Sequence, residues 1–252
     1  MKPITSIPVA AALVITGLSF SFSGDTSSSK DITPAKGIAV LELFTSEGCS
    51  SCPPADEVAI RVSRDYPDNV YFLGFHVDYW DDLGWKDEFS NRSFAERQRK
   101  YAGIFNLNSI YTPQVIINGK KEMIGSRETE LRKSIKEELI KEAPDSIGLN
   151  IKASGENIQI AYDVTAGKLL NIALVQLKAS TNVRKGENRN HRLNHINIVR
   201  VFKTLDASKV TNGTISFSIP KGLTAKDVSI IAYLQDKTTF QVTGASQASI
   251  QN

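Results

Sequence analysis

The stretch IAVLELFTSEGCSSCPPADEVAIRVSRDYPDNVYFLGFHV, residues 38–77, decides the reading of the fold. Ile38 to Phe44 is an apolar run of strand length. It stops at Thr45-Ser46-Glu47-Gly48, and Cys49-Ser50-Ser51-Cys52 follows. Pro53 and Pro54 suit the first turn of a helix, where a missing N–H costs nothing. Ala55, Val58, Ala59 and Val62 then recur at i, i+3, i+4 and i+7, with Tyr66 one turn later, which predicts a helix with one buried face. Val70 to Val77 is a second apolar strand. Strand, helix and strand make a βαβ unit and imply a parallel pair.

Downstream, a loop from Asp78 to Glu88 carries both tryptophans, and Phe94, Tyr101, Ala102 and Phe105 predict a second helix ending near Gly103. Val115–Ile117 and Glu122–Ile124 flank Asn118-Gly119, a strong hairpin signal. A third helix follows, with Ser126 as its expected cap and Leu131, Ile135 and Leu139 on its apolar face. After Pro144 the period becomes two. Ile147, Leu149, Ile151 and Ala153 alternate with polar residues or glycine, and so do Ile158, Ile160, Tyr162 and Val164, then Ile215, Phe217 and Ile219, then Val228, Ile230, Ala232 and Leu234. Such alternation predicts antiparallel strands with one face buried, and about seven of them fit a β-sandwich.

The first residues read as targeting rather than fold. Lys2 precedes an apolar run from Ile4 to Phe22 whose core, Val9–Leu18, is too short to span a bilayer, which needs about 20 residues. The expectation is a signal peptide over 1–24, a polar leader over 25–36, an α/β domain over 37–144 and a β-sandwich over 145–252, in a protein that is secreted or periplasmic and has no stable membrane span after cleavage. The 252 residues, 41% hydrophobic, exclude a disordered chain. Lys and Arg (30) nearly balance Asp and Glu (27), which does not suggest a nucleic-acid partner. Two cysteines exclude a disulfide framework, so their position carries the chemistry.

A lone C-x-x-C suits half a zinc site, a structural disulfide or a redox dithiol. A structural zinc site needs four ligands, and the chain holds no second C-x-x-C and only three histidines. Cys49 at the start of a helix faces unpaired N–H groups and the positive end of the helix dipole, which favours a thiolate. Ser50 and Ser51 are placed to donate hydrogen bonds to it, while Glu47, Asp56 and Glu57 act in the opposite direction.

Strand, C-x-x-C, helix, strand, helix, then Thr112-Pro113 before a hairpin and a last helix, resembles thioredoxin. That resemblance implies an exposed nucleophile at Cys49, a buried resolving thiol at Cys52, and a cis proline at Pro113 packed against the pair. It also implies protein thiols or disulfides and a redox protein as partners, and no cofactor. Glu42 is the nearest candidate for the buried acid that many thioredoxins carry before the motif, out of register by about one residue; the competing reading is an edge or surface glutamate. ELFTSEGCSSCPPAD, HVDYWDDLGWKD, YTPQVIING and GENRNHRLNHINIVR resemble an uncharacterised family of secreted bacterial proteins with a thioredoxin-like fold. The fold class expected is therefore a thioredoxin-like α/β domain followed by an all-β sandwich.

Other residues have two readings each. His76 is either a loop-bonded histidine or a third ligand with Cys49 and Cys52 in a copper(I) site. His191 and His195, at H-x-x-x-H spacing in a polar stretch, read as non-ligands, since that spacing converges on a metal only along a helix. Trp80 and Trp85, with Thr112, form either a substrate platform or packing under a long loop. The Asp78–Glu88 loop has net charge −4 and the Arg184–Arg200 segment +4, which suggests that the two surfaces face each other. Three functions compete: a thiol–disulfide oxidoreductase, a copper-delivery protein, and a binding module with a static disulfide.

Overall fold

The fold comes from a computed structural model that describes Met1 and residues 37–250. Apart from Met1, the expected signal segment (1–24) and leader (25–36) lie outside the described residues. Residues 37–250 form one compact unit.

The first half runs β1 (Ala39–Thr45), α1 (Pro53–Asp65), β2 (Val70–His76), α2 (Arg92–Ile104), β3 (Gln114–Ile117), β4 (Lys121–Ile124) and α3 (Glu128–Leu139). The second half runs β5 (Ile147–Ser154), β6 (Asn157–Val164), β7 (Leu169–Asn182), β8 (Arg192–Asp206), β9 (Asn212–Ser218), β10 (Val228–Gln235) and β11 (Val242–Ser249). The three helices and the Asn118-Gly119 hairpin form where their patterns place them, with φ of 47° and 62° at the two turn residues. Ser126 does not cap α3: Arg127 holds the cap position and no side chain closes it.

The fold class differs from the expectation of a thioredoxin-like domain followed by a β-sandwich. Strands hold 42% of the described residues against 19% for helices, and eight strands join in one mixed sheet, ordered β11-β10-β7-β8-β2-β1-β3-β4. β2 pairs with β1 in parallel on one side. On its other side it meets β8, also parallel, at Gly74 and Ile198. The strands of the second half thus extend the first half's sheet instead of folding apart. The physical reason lies in β7 and β10. Leu170, Ile172 and Leu174, with Ile230, Ala232 and Leu234, pack into one cluster, whereas Ala173, Val175, Ile231 and Tyr233 pack into another on the opposite face. Strands buried on both faces belong inside a sheet, not on the outer layer of a half-solvated sandwich. Only β5-β6-β9 forms a separate three-stranded sheet, and it covers the β7–β10 region.

Layers follow from this topology. Helix α2 lies on one face with Phe94, Ala95 and Tyr101 against Val40, Phe44, Leu73 and Phe75. The other face carries α1 and α3 over β1, β2 and β3, through Ala55, Val58, Ala59, Val62, Leu131 and Ile135. Among the described residues no helix is long and apolar enough to cross a membrane.

Candidate functional site

Cys49 and Cys52 lie in the turn that carries β1 into α1, and they form a disulfide with a Cα–Cα distance of 5.5 Å. Cys52 is the N-cap of α1, and Pro53 follows at a position that needs no N–H donor. Both cysteines are 0% exposed, although Ser50 and Ser51 between them are exposed. The expected exposure of Cys49 is therefore absent in the disulfide form.

Several expected residues gather here. Cys49 Sγ lies 3.3 Å from Ser51 Oγ, and that hydroxyl also donates to the Thr112 carbonyl at 3.4 Å. Trp80 Nε1 donates to Thr112 Oγ1 at 2.9 Å. The Thr112–Pro113 bond is cis, Pro113 is buried, and it leads directly into β3. Trp85 is turned instead toward the inside of the site, with Nε1 donating to Glu47 Oε2 at 2.8 Å.

Glu42 belongs elsewhere. Alternation along β1 places it on the α2 face, opposite α1, where Arg97 clasps it through Nε at 2.5 Å and Nη2 at 2.8 Å. Tyr101 Oη donates to the same carboxylate, and Arg97 also donates to Tyr233 Oη and Gln235 Oε1 of β10. Glu42 is thus buried, not a surface residue, and it lies on the sheet face opposite α1. It anchors a buried polar network that joins the two halves of the chain.

A second buried cluster, centred on His195, lies beside the disulfide. His195, 3% exposed, projects from β8 between Asp56 Oδ2 at 3.3 Å and Glu47 Oε1 at 3.4 Å. Among the described residues neither ring nitrogen has an aligned hydrogen bond, and the two carboxylates face the ring at ion-pair distance. Desolvation pulls the His195 pKa down, but Asp56 and Glu47 outweigh it and hold it up at about 10. The His76 ring packs edge-on against that of His195 at 4.9 Å, and His76 Nδ1 lies 2.7 Å from Asp87 Oδ2. Burial alone would raise the Asp87 pKa; His76 and the N–H groups of Glu47 and Phe89 bring it below the usual carboxylate range. Asp56 is one turn after Cys52 in α1, and it also lines a small cleft of about 70 Å³ with Pro53 and Arg192. Among the described residues no three His, Cys, Asp or Glu side chains converge to hold a metal ion.

The Asp78–Glu88 and Arg184–Arg200 segments do meet, and Glu88 acts on Arg200 through charge without close contact. Among the described residues no ion pair joins them. Contact comes from backbone: a Cβ added at Gly186 would lie 3.1 Å from the Trp85 Cβ. Arg200 rests over the Phe89 ring at 5.1 Å.

A signal for His195 exists in the sequence. In Arg192-Leu193-Asn194-His195, every second residue is buried, as the alternation of a strand would place them. Nothing local signals Arg97, Asn188 or Glu187 as site residues, because the Glu42, Glu47, Cys49 and Ser50 groups they bind lie 55 to 141 positions away.

The chain belongs to the family described as "Protein of unknown function (DUF1223)", whose pattern matches residues 40–235. It is similar to the crystal structure of protein AGR_C_4864 from Agrobacterium tumefaciens, with 26% identity, a TM-score of 0.64, and coverage of 86% of this chain and 96% of that one. HBP35 of Porphyromonas gingivalis shares the fold at 16% identity and a TM-score of 0.52, over 86% of this chain and 76% of that one. Among curated proteins, none matches the chain.

Proposed function

We propose that the protein is a thiol–disulfide exchange protein working outside the cytoplasm, with Cys49–Cys52 as a two-electron couple. One observation carries the reading: the chain's only two cysteines close a C-x-x-C disulfide at the N-terminus of α1. In the forward step, a substrate thiolate attacks Cys49 Sγ and the Cys49–Cys52 bond breaks. Cys52 leaves as a thiolate and takes up a proton, and the substrate's second thiol resolves the mixed disulfide. The substrate loses two electrons and two protons, and Cys49 and Cys52 gain them. The Ser51 hydroxyl beside Cys49 supports its role as the attacked sulfur. Thr112, bonded to Ser51 on one side and to Trp80 on the other, supports a substrate surface there. The apolar N-terminal run and the disulfide itself support an oxidising compartment.

The experiment is insulin reduction with dithiothreitol as the electron donor, together with equilibration against glutathione. Exchange chemistry predicts precipitation of insulin chains with wild type, none with Cys49→Ser, and mixed disulfides trapped by Cys52→Ser. A protein that neither reduces insulin nor exchanges with glutathione does not have this function.

A second reading has its own observation. Both cysteines are fully buried, which suits a static disulfide in a binding module. That reading predicts a pair that resists millimolar dithiothreitol in the native state.

A further inference from the structure

The loop between β7 and β8, Val183–His191, lies across the disulfide turn and is tied to both sides of Cys49. Asn188 Nδ2 donates to the Glu47 carbonyl at 2.8 Å and to the Cys49 carbonyl at 2.9 Å. Glu187 Oε2 accepts from the Ser50 N–H at 3.1 Å. Asn188 is buried, although Arg184 to Glu187 before it and Arg189 to His191 after it are all exposed. A side chain buried from an exposed loop, spending both its amide hydrogens on a neighbouring turn, has a fastening role.

The loop also holds its own shape. Val183 and His191 are bonded N–H to carbonyl at 3.0 Å, Asn190 N–H reaches the Val183 carbonyl at 2.9 Å, and His191 N–H reaches that of Asn188 at 3.1 Å. Gly186 and Asn190 take φ of 75° and 66°, which complete the turn. The loop's internal bonds do not depend on the three bonds to the cysteine turn, which, with the packing of Gly186 against Trp85, hold it down as a unit.

We propose that this loop is a latch, with Asn188 and Glu187 the residues that set access to the disulfide. In the closed state both sulfurs are out of reach, and a thiol attacks Cys49 Sγ only after the loop has lifted. The inference rests on Cys49–Cys52 being the working group. It explains how a pair built for exchange is fully buried at rest, and it makes displacement of the loop by a partner the step that selects substrates.

Reduction of the native disulfide by dithiothreitol tests it. The reductant's thiolate opens the disulfide, its second thiol closes a ring, and the freed Cys49 and Cys52 thiols are counted by alkylation and mass. Asn188→Ala is expected to raise the reduction rate roughly ten- to hundredfold, as the loss of two buried hydrogen bonds implies. Glu187→Lys, on the exposed side, is expected to raise it a few-fold. Ile160→Val, in the three-stranded sheet remote from the motif, controls for general loosening and is expected to leave the rate unchanged. The latch is overturned when folded Asn188→Ala and Glu187→Lys are reduced at the wild-type rate, or when Ile160→Val accelerates reduction equally. Should Asn188→Ala fail to fold, Glu187→Lys alone decides. Insulin reduction is read in parallel. Faster opening without insulin reduction in any variant keeps the latch and removes the exchange function; insulin reduction with unchanged opening does the reverse.

Discussion

His195 makes stability depend on pH in a direction opposite to that of most buried carboxylates. Its pKa is about 10 in the fold against 6.5 as the ordinary value. The folded state thus keeps a proton that the unfolded chain gives up. Below pH 6.5 both states hold the proton and the stabilisation is fully present. Between pH 6.5 and about 10 only the folded state holds it, so stability falls by about 1.4 kcal/mol per pH unit. Across that window the loss reaches at most about 5 kcal/mol. Contacts at 3.3 and 3.4 Å without aligned hydrogen bonds favour the lower half of that range. Domains are stable by roughly 5–15 kcal/mol, so even half the effect is easily measured. Urea unfolding at pH 6, 8 and 10, followed by tryptophan fluorescence, gives the slope. His195→Gln is expected to lose about 3–5 kcal/mol at pH 6, since Glu47 and Asp56 are left buried without a cation, and to lose the slope between pH 6.5 and 10. A wild-type profile flat across this window, or a slope that survives in His195→Gln, would refute the assignment.

Further predictions concern the rest of the molecule. Arg97→Ala strands the buried Glu42 carboxylate and should cost about 3–5 kcal/mol in urea unfolding, while Arg97→Met with Glu42→Leu should recover most of it. Because Arg97 also reaches β10, unfolding of wild type should be one cooperative transition across both halves; two resolved transitions would contradict the shared core. Replacing both cysteines by serine should cost only about 2 kcal/mol, because the disulfide closes so short a loop, and should leave the circular dichroism spectrum unchanged. Gly119→Ala should destabilise by more than about 2 kcal/mol, as φ is 62° and its Cβ would lie 1.9 Å from the Phe240 carbonyl oxygen; a melting temperature equal to wild type would exclude that contact.

Elements with a local cause were legible before the tertiary structure. The i, i+3, i+4, i+7 spacing of Ala55, Val58, Ala59 and Val62 places a helix at Pro53–Asp65, and Asn118-Gly119 places a hairpin where φ is positive twice. The C-x-x-C spacing leaves a zinc half-site, a static disulfide and a redox dithiol open, and the structure pairs the two cysteines with Cα atoms 5.5 Å apart. Alternation on one face does not separate a half-buried strand from one buried on both. Val228, Ile230, Ala232 and Leu234 alternate, but Ile231 and Tyr233 between them are also buried.

What the amino-acid sequence determined alone is therefore local: the strand–helix junction, its C-x-x-C, the tight hairpin and the period of each segment. Tertiary structure decided the rest. The β2–β8 pairing spans more than a hundred positions and rests on a single register contact, Gly74 with Ile198, that no local pattern encodes. That one pairing joins strands of both halves in one sheet. It also brings His195 from β8 between Glu47 and Asp56, and carries the Val183–His191 loop onto Cys49. Burial and charge at the disulfide are consequences of long-range packing, so the motif was visible in the chain while its cover and its acid–histidine surroundings were not.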